Sequence, residues 1–257
     1  MSRFSKPLAL RPDPQERGGG PMPQTAMLLA AGLGKRMRPL TATRPKPLIE
    51  VAGKSLLDHA LDHVRAAGVP GVVVNVHYLA DALEAHLRRH AQGLDVAISD
   101  ERGQLLETGG GVARALPLLG EHPFFVINTD NLWVDGPVDA LRLLAHRWDD
   151  AAMDVLLGVV PLAGATAHGG RGDFHMDAAG RLVRRHPRRV APFVYTGFHI
   201  ASPRLFENAP EGPFSLNLLW DRAIAAGRAF GMVHQGLWCD VGTPAAIKQA
   251  EEMLRRG

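Results

Sequence analysis

The chain has 257 residues, 46% hydrophobic and 21% charged, enough for one substantial core with at most a small appended lobe. Its net charge is +3, and residues 1–25 carry most of it (four Lys/Arg against two Asp/Glu), so the near-neutral remainder argues against a nucleic-acid surface. The single cysteine, Cys239, excludes an internal disulfide framework, and no apolar run reaches the length of a membrane span. A soluble cytoplasmic protein is expected, with neither nucleic-acid nor membrane partners.

Residues 1–25 hold Pro7, Pro12, Pro14, Pro21, Pro23 and Gly18–Gly20, with no apolar segment long enough for a secretory signal, and read as a disordered leader before a domain at 26–257. Met27–Ala31 then forms a short apolar run of the length of a buried parallel strand. It enters Gly32-Leu33-Gly34 and a patch with Lys35, Arg36, Arg38, Arg44 and Lys46, the last between Pro45 and Pro47. A glycine turn lets backbone N–H groups approach an anion, and fixed cations offset phosphate charge, so the stretch reads as a polyphosphate site. It is neither a Walker A loop nor a full G-x-G-x-x-G, because position 37 is Met and Lys35 lacks a following Ser/Thr.

Ser55 is a plausible N-cap for a helix in which Leu57, Leu61 and Val64 recur at helical spacing and Gly68 ends the run. His59 and His63 share one face of it, beside Asp58 and Asp62; this spacing could hold a metal, though a solvated face is the stronger reading. Val72–Val76 and Val96–Ser99 read as strands around a helix near Asp81–Arg89. This alternation predicts an α/β fold, doubly wound, with a mostly parallel sheet. Glu107-Thr108-Gly109-Gly110-Gly111 precedes a helix; it is either a flexible loop or a bed for something lying flat on the backbone.

Phe124–Asn128 is a buried strand with Asp130 at its carboxyl end, where ligands bind in open α/β sheets. The section 154–235 is dominated by strand and turn patterns and suggests a small mixed lobe over the sheet. It contains strands at Asp154–Val160, Phe193–Ile200 and, as the last, Ala229–His234, and a helix from Phe214 to Gly227. Its basic run, Arg184, Arg185, Arg188 and Arg189, reads as solvated surface. Asp240 lies in Trp238-Cys239-Asp240-Val241-Gly242-Thr243-Pro244, where Thr243 and Pro244 open a final helix.

Together, A-A-G-L-G-K-R-M-R-P-L-T with P-K-P-L, the E-T-G-G-G segment, G-D-F, and W-C-D-V-G-T-P resemble the sugar-1-phosphate nucleotidyltransferases over roughly residues 25–253. The resemblance implies a Rossmann-like sheet flanked by helices. It implies Arg36, Lys46, Asp130 and Asp240 as catalytic residues, with Mg²⁺ on Asp130 and Asp240. It assigns the nucleotide to Ala31, Gly32, Gly34, Arg36, Lys46, Asn75, Glu107, Thr108 and Gly110. It assigns the sugar phosphate to Gly172, Asp173, Tyr195, Thr196 and Asn217. The expected partners are a nucleoside triphosphate and a sugar 1-phosphate, bound by a monomer or small homo-oligomer. One departure stands out: many relatives carry an E-K-P segment where this chain has Arg184-Arg185-His186-Pro187. No hexapeptide repeat follows residue 257, so no left-handed β-helix is expected. The compact form and F-S-L-N-L-L-W-D are most similar to the branch that uridylylates N-acetylmuramic acid α-1-phosphate in cell-wall recycling. A branch using GTP and mannose 1-phosphate is the alternative, and a nucleotide-sugar sensor without turnover is an alternative of another class.

Overall fold

The computed structural model describes residues 20–256. Most of the expected leader, residues 1–19, lies outside the described residues; residues 20–25 run along the domain, with Pro23 buried and Thr25 starting the first strand.

The chain begins with β1 (Thr25–Leu29), β2 (Glu50–Val51), β3 (Lys54–Ser55), α1 (Leu56–Ala67), β4 (Gly71–Val76), α2 (Ala80–His90), β5 (Asp95–Asp100) and α3 (Glu107–Leu119). It continues through β6 (Phe124–Asn128), β7 (Asn131–Val134), α4 (Ala140–Arg147), β8 (Val155–Pro161), β9 (Ala165–Thr166), β10 (Phe174–Met176) and β11 (Leu182–Arg184). It closes with β12 (Phe193–Ala201), α5 (Leu216–Ala225), β13 (Ala229–Val233), β14 (Leu237–Asp240) and α6 (Pro244–Leu254).

The apolar runs that predict strands are buried because helices cover both faces of a nine-stranded sheet. α1, α2 and α4 pack one face, while α3 and α5 pack the other. Ser55 caps α1 by accepting from the Asp58 backbone N–H at 3.0 Å, and Gly68 closes it with φ +83°. Among the described residues no helix is long and apolar enough to cross a membrane.

The strands β6, β1, β4 and β5 lie side by side and parallel. Their carboxyl ends therefore open on one edge, which gathers Ala30–Gly34, Asn75 and Asp130. Beyond β6, β12 pairs antiparallel with β6, β8 and β10, so the sheet is mixed. The section 154–235 contributes β8, β10, β11, β12 and β13 to this main sheet. The expected small lobe is thus largely an extension of the sheet, because strands such as β8, buried through Val160, need cover on two faces. The last strand is β14, not the segment at Ala229–His234; with Leu237 exposed and Trp238 and Cys239 both buried, its residues show no alternation that announces a strand. β14 joins β7 and β9 in a separate three-stranded sheet, backed by α6.

Candidate active site

The loop leaving β1 folds onto itself. Gly34 is left-handed at φ +60°, and a Cβ there would meet the Thr41 side chain at 2.8 Å and Lys46 Cβ at 3.0 Å. Thr41 Oγ1 donates to the Gly34 carbonyl at 2.8 Å, and the Tyr78 hydroxyl donates to the Thr41 carbonyl at 3.0 Å. Lys46 opens a 3-10 turn through Leu48, entered from Pro45 in extended conformation and held by Pro47. The prolines and the Gly34 contact fix where Lys46 points.

It points at Asp130: Lys46 Nζ lies 2.7 Å from Asp130 Oδ2, and Asn131 Nδ2 donates to Asp130 Oδ1 at 3.0 Å. β14 pairs antiparallel with β7, placing Asp240 opposite Asn131, and the Val241 N–H donates to the Asp130 carbonyl at 3.0 Å. Burial pushes the Asp240 carboxyl above the usual range, the charge of Asp130 adds to this, and Lys46, Arg36 and His168 oppose it. A Cβ on Gly242 would lie 3.1 Å from Asp240 Oδ1 and 3.2 Å from Arg36 Nη1, so Arg36 reaches the same corner. The four expected catalytic residues therefore meet. Two neighbouring carboxylates, Asp240 costly to ionise when buried beside Asp130, offer hard oxygen donors that fit a divalent cation such as Mg²⁺.

Beside them a cleft of about 220 Å³ is lined by Ala31, Gly32, Lys46, Asn75, Glu107, Thr108 and Asp130 from the expected set. Leu29, Ala30, Pro47, Leu105, Asn128 and Thr129 complete the lining and were not anticipated, since nothing in an apolar strand end distinguishes it from core. Asn75 is buried and its amide is engaged: Oδ1 accepts from Ala30 N–H at 2.7 Å, and Nδ2 donates to Glu101 Oε1 at 2.7 Å. Glu101 Oε2 accepts from Leu106 N–H at 3.0 Å. This carboxylate is only 1% exposed and ties β1, β4 and the start of α3 together. Sequence reasoning missed it, because nothing in the charged run Asp100-Glu101-Arg102 after the expected strand marks one acid as buried.

The three glycines after Thr108 are not a loop. They form the first turns of α3 and are buried. What lies flat against them is the chain's own segment before α5. The Gly109 and Gly110 N–H groups donate to the Phe214 carbonyl at 2.8 and 3.1 Å. A Cβ on Gly110 would stand 2.3 Å from the Gly212 carbonyl oxygen. Gly110 is absent from the cleft lining; its side facing Gly212 serves packing. Thr108 Oγ1 accepts from Leu216 N–H at 3.0 Å, and Glu107 holds a positive φ of 59°, uncommon without glycine.

The expected sugar-phosphate residues divide. Asp173 Oδ2 accepts from Tyr195 N–H at 2.9 Å, and the Gly172 carbonyl accepts from Arg185 Nε at 2.8 Å. Burial raises the Tyr195 hydroxyl well above its ordinary value, and the charge of Asp130 adds to it. Tyr195 Oη lies 2.7 Å from Nδ1 of the buried His199, and the ladder between β12 and β8 shifts register between these two residues. Thr196 does not present its side chain: it is fully buried and donates to the Gly158 carbonyl at 2.9 Å. Asn217 is exposed in the first turn of α5, its amide 3.1 Å from Ser215 Oγ.

Of the basic run, Arg184 pairs with Asp221 at 2.7 Å and stacks on Phe174, and Arg185 clips the carbonyls of Gly172, His186, Pro187 and Arg189. These two are internal fasteners rather than solvated surface; Arg188 and Arg189 stay exposed. His59 and His63 are half-buried and partnered rather than forming a solvated face. His59 Nε2 is 3.0 Å from the Val51 carbonyl, and His63 stacks on Trp133 at 3.9 Å. Cys239 is buried, and its thiol is pushed up to about 12 by burial and then by Asp240.

Residues 25–257 match the model of the nucleotidyl transferase family. The chain is 49% identical over 235 residues to the N-acetylmuramate alpha-1-phosphate uridylyltransferase of Caulobacter vibrioides, covering 90% of this chain and 97% of that protein. It is 35% identical over 232 residues to the protein of the same name from Neisseria meningitidis serogroup B, covering 89% and 97%. Among solved structures, a UDP-glucose pyrophosphorylase complexed with UDP-glucose matches with a TM-score of 0.75 over 91% of this chain and 99% of that one. Its 16% identity makes this a likeness of fold.

Proposed function

Because this chain belongs to the nucleotidyl transferase family, we propose that it transfers the uridylyl group of UTP to N-acetylmuramic acid α-1-phosphate, giving the UDP-sugar and pyrophosphate. The substrate pair is supported by the 49% identity that spans nearly the whole length of the Caulobacter relative. The observation that carries the reaction type is the Lys46–Asp130 contact of 2.7 Å, with Arg36 and Asp240 beside it at the open edge of the sheet.

The acceptor is a phosphate monoester, already anionic near neutral pH, so no side chain must generate the nucleophile. One of its oxygens forms a bond to the α-phosphorus of the triphosphate while the bond to the pyrophosphate oxygen breaks. Catalysis then rests on alignment and on charge stabilisation. In this reading the backbone of Ala31–Gly34 cradles the triphosphate, and Arg36 offsets charge gathering on the leaving pyrophosphate. Lys46, held at the cleft floor, draws the α-phosphate toward the acceptor. Thr108 and Glu107 border the nucleoside, with Asn75 holding the Ala30 amide that shapes the cleft. Asp173 positions the Tyr195 backbone on the acceptor side. Mg²⁺ bound by Asp130 and Asp240 would supply charge neutralisation for the phosphate oxygens of both substrates.

Pyrophosphate release tests the proposal, with UTP, GTP, CTP and dTTP each set against the 1-phosphates of N-acetylmuramic acid, N-acetylglucosamine, mannose and glucose. Release with UTP and the muramic sugar is expected. Release with GTP and mannose would overturn the substrate, and nucleotide binding without release from any pair would overturn the enzyme in favour of a sensor.

A further inference from the structure

The pairing of α1 with α2 brings a second cluster of ligating side chains together, none of which lines the cleft. Asp58 stands in the first turn of α1, beside the Ser55 cap. His86 and His90 stand four apart on α2, hence on one face, and both point their ring nitrogens at that carboxylate. His86 Nε2 lies 2.9 Å from Asp58 Oδ1, His90 Nδ1 lies 3.7 Å from Asp58 Oδ2, and one ligating atom from each residue falls within 4.8 Å of the others.

We propose that Asp58, His86 and His90 form a binding site for a divalent transition-metal ion, zinc above all. Hydrogen bonding explains His86, but it leaves the His90 nitrogen too distant for a bond and still aimed at the same anion. The two imidazoles stack nearly parallel, 4.0 Å apart with 6° between planes, an arrangement that would be repulsive if both carried charge. The nearby cations do not serve Asp58: Lys54 and Arg65 both pair with Asp62, at 2.5 and 2.9 Å. Ligands about 2.0–2.2 Å from a tetrahedral zinc stand roughly 3.3 Å from one another, between the two separations seen here. Two imidazoles and one carboxylate suit zinc and disfavour Mg²⁺, so the site differs in chemistry from the Asp130–Asp240 pair. Asp58 and His86 are mostly buried and His90 is 48% exposed, which leaves a side open for entry and for a water as fourth ligand. An ion here would pin α1, which follows the Lys46 loop, to α2, which follows Tyr78 and its grip on Thr41.

The test is a titration of the untagged full chain, stripped with a chelator, with ZnCl₂ in excess Mg²⁺, and a parallel titration with CoCl₂ read by visible absorption. One zinc per chain and a tetrahedral cobalt spectrum are expected in the wild type. His90→Ala, at an exposed position, and His86→Gln should each weaken zinc binding by at least about tenfold and abolish the cobalt bands. Zinc should also raise the melting temperature of the wild type and leave that of His90→Ala unmoved. No saturable zinc binding in Mg²⁺, or binding that either variant leaves unchanged, would overturn the site.

Discussion

Lys46 and Asp130 stand 84 residues apart in the chain, yet the ammonium of one lies 2.7 Å from the carboxylate of the other. The contact sets the cation of the loop after β1 against one of the two carboxylates facing the open edge of the sheet. Lys46→Met should leave a folded protein whose pyrophosphate release falls by roughly 10²–10³-fold, the usual scale for removing one charge-stabilising donor. Near-normal release from a folded variant would remove Lys46 from the mechanism.

Asp240 is costly to keep ionised. Burial and the neighbouring Asp130 raise its carboxyl above the unfolded value, so between those two values the native state binds more protons than the unfolded chain. Stability from this group is present in acid and lost as pH rises through the native value. Asp240→Asn should therefore be more thermostable than the wild type at neutral pH, by about 2–4 °C, while losing turnover. Calorimetry without added metal, alongside the release assay, decides it; a less stable variant would contradict the sign.

Gly110 gives a sharp packing test. Helix propensity alone favours alanine by about 1 kcal/mol. The added Cβ would sit 2.3 Å from a backbone carbonyl that no rotamer can clear. Strain should win, and Gly110→Ala should lose about 1–3 kcal/mol in urea unfolding.

His199 makes the fold sensitive to acid. Burial lowers its imidazole to about 3, so it contributes stability above the unfolded value near 6.5 and loses it as pH falls below that. From pH 7.5 to pH 5 its share of the loss is about 2 kcal/mol. His59 and His234 shift in the same direction, so the reading is the difference between wild type and His199→Gln, whose stability should fall less steeply over that range.

Thr196 and Asp173 separate packing from acceptor binding. Thr196→Val should cost about 1 kcal/mol through the lost bond to Gly158 and leave the KM for the sugar phosphate unchanged. Asp173→Ala releases the Tyr195 backbone and should raise that KM. Equal effects on KM would mean that Thr196 faces the substrate after all.

Local pattern carried a good deal of the fold. The helix at α1 was legible with its cap and its glycine stop, because capping and amphipathic spacing are set within a few residues. The buried runs of β1, β4 and β6 were legible too, and with them the edge on which Asp130 stands. Strand partners were not: β12 accepts antiparallel neighbours, and the turn-rich stretch 154–235 joins the main sheet, since pairing depends on surfaces brought from far along the chain. The glycines of α3 left a flexible loop and a close approach both open, and the object that approaches, Gly212 to Phe214, was not legible at all.

The sequence by itself determined the chemical parts: a glycine turn with Arg36 and Lys46, and two aspartates, each written in a short local string. Only the tertiary structure decided which parts touch. It closed Lys46 onto Asp130, and it set Asp240 opposite Asn131 by a β7–β14 pairing more than a hundred residues apart. It also made Glu101 a buried tie, and used the Thr196 hydroxyl inside the core. The physical reason is that residue type fixes what a group can do. Burial and partner distance fix what it does, and these come from long-range packing that no local spacing encodes.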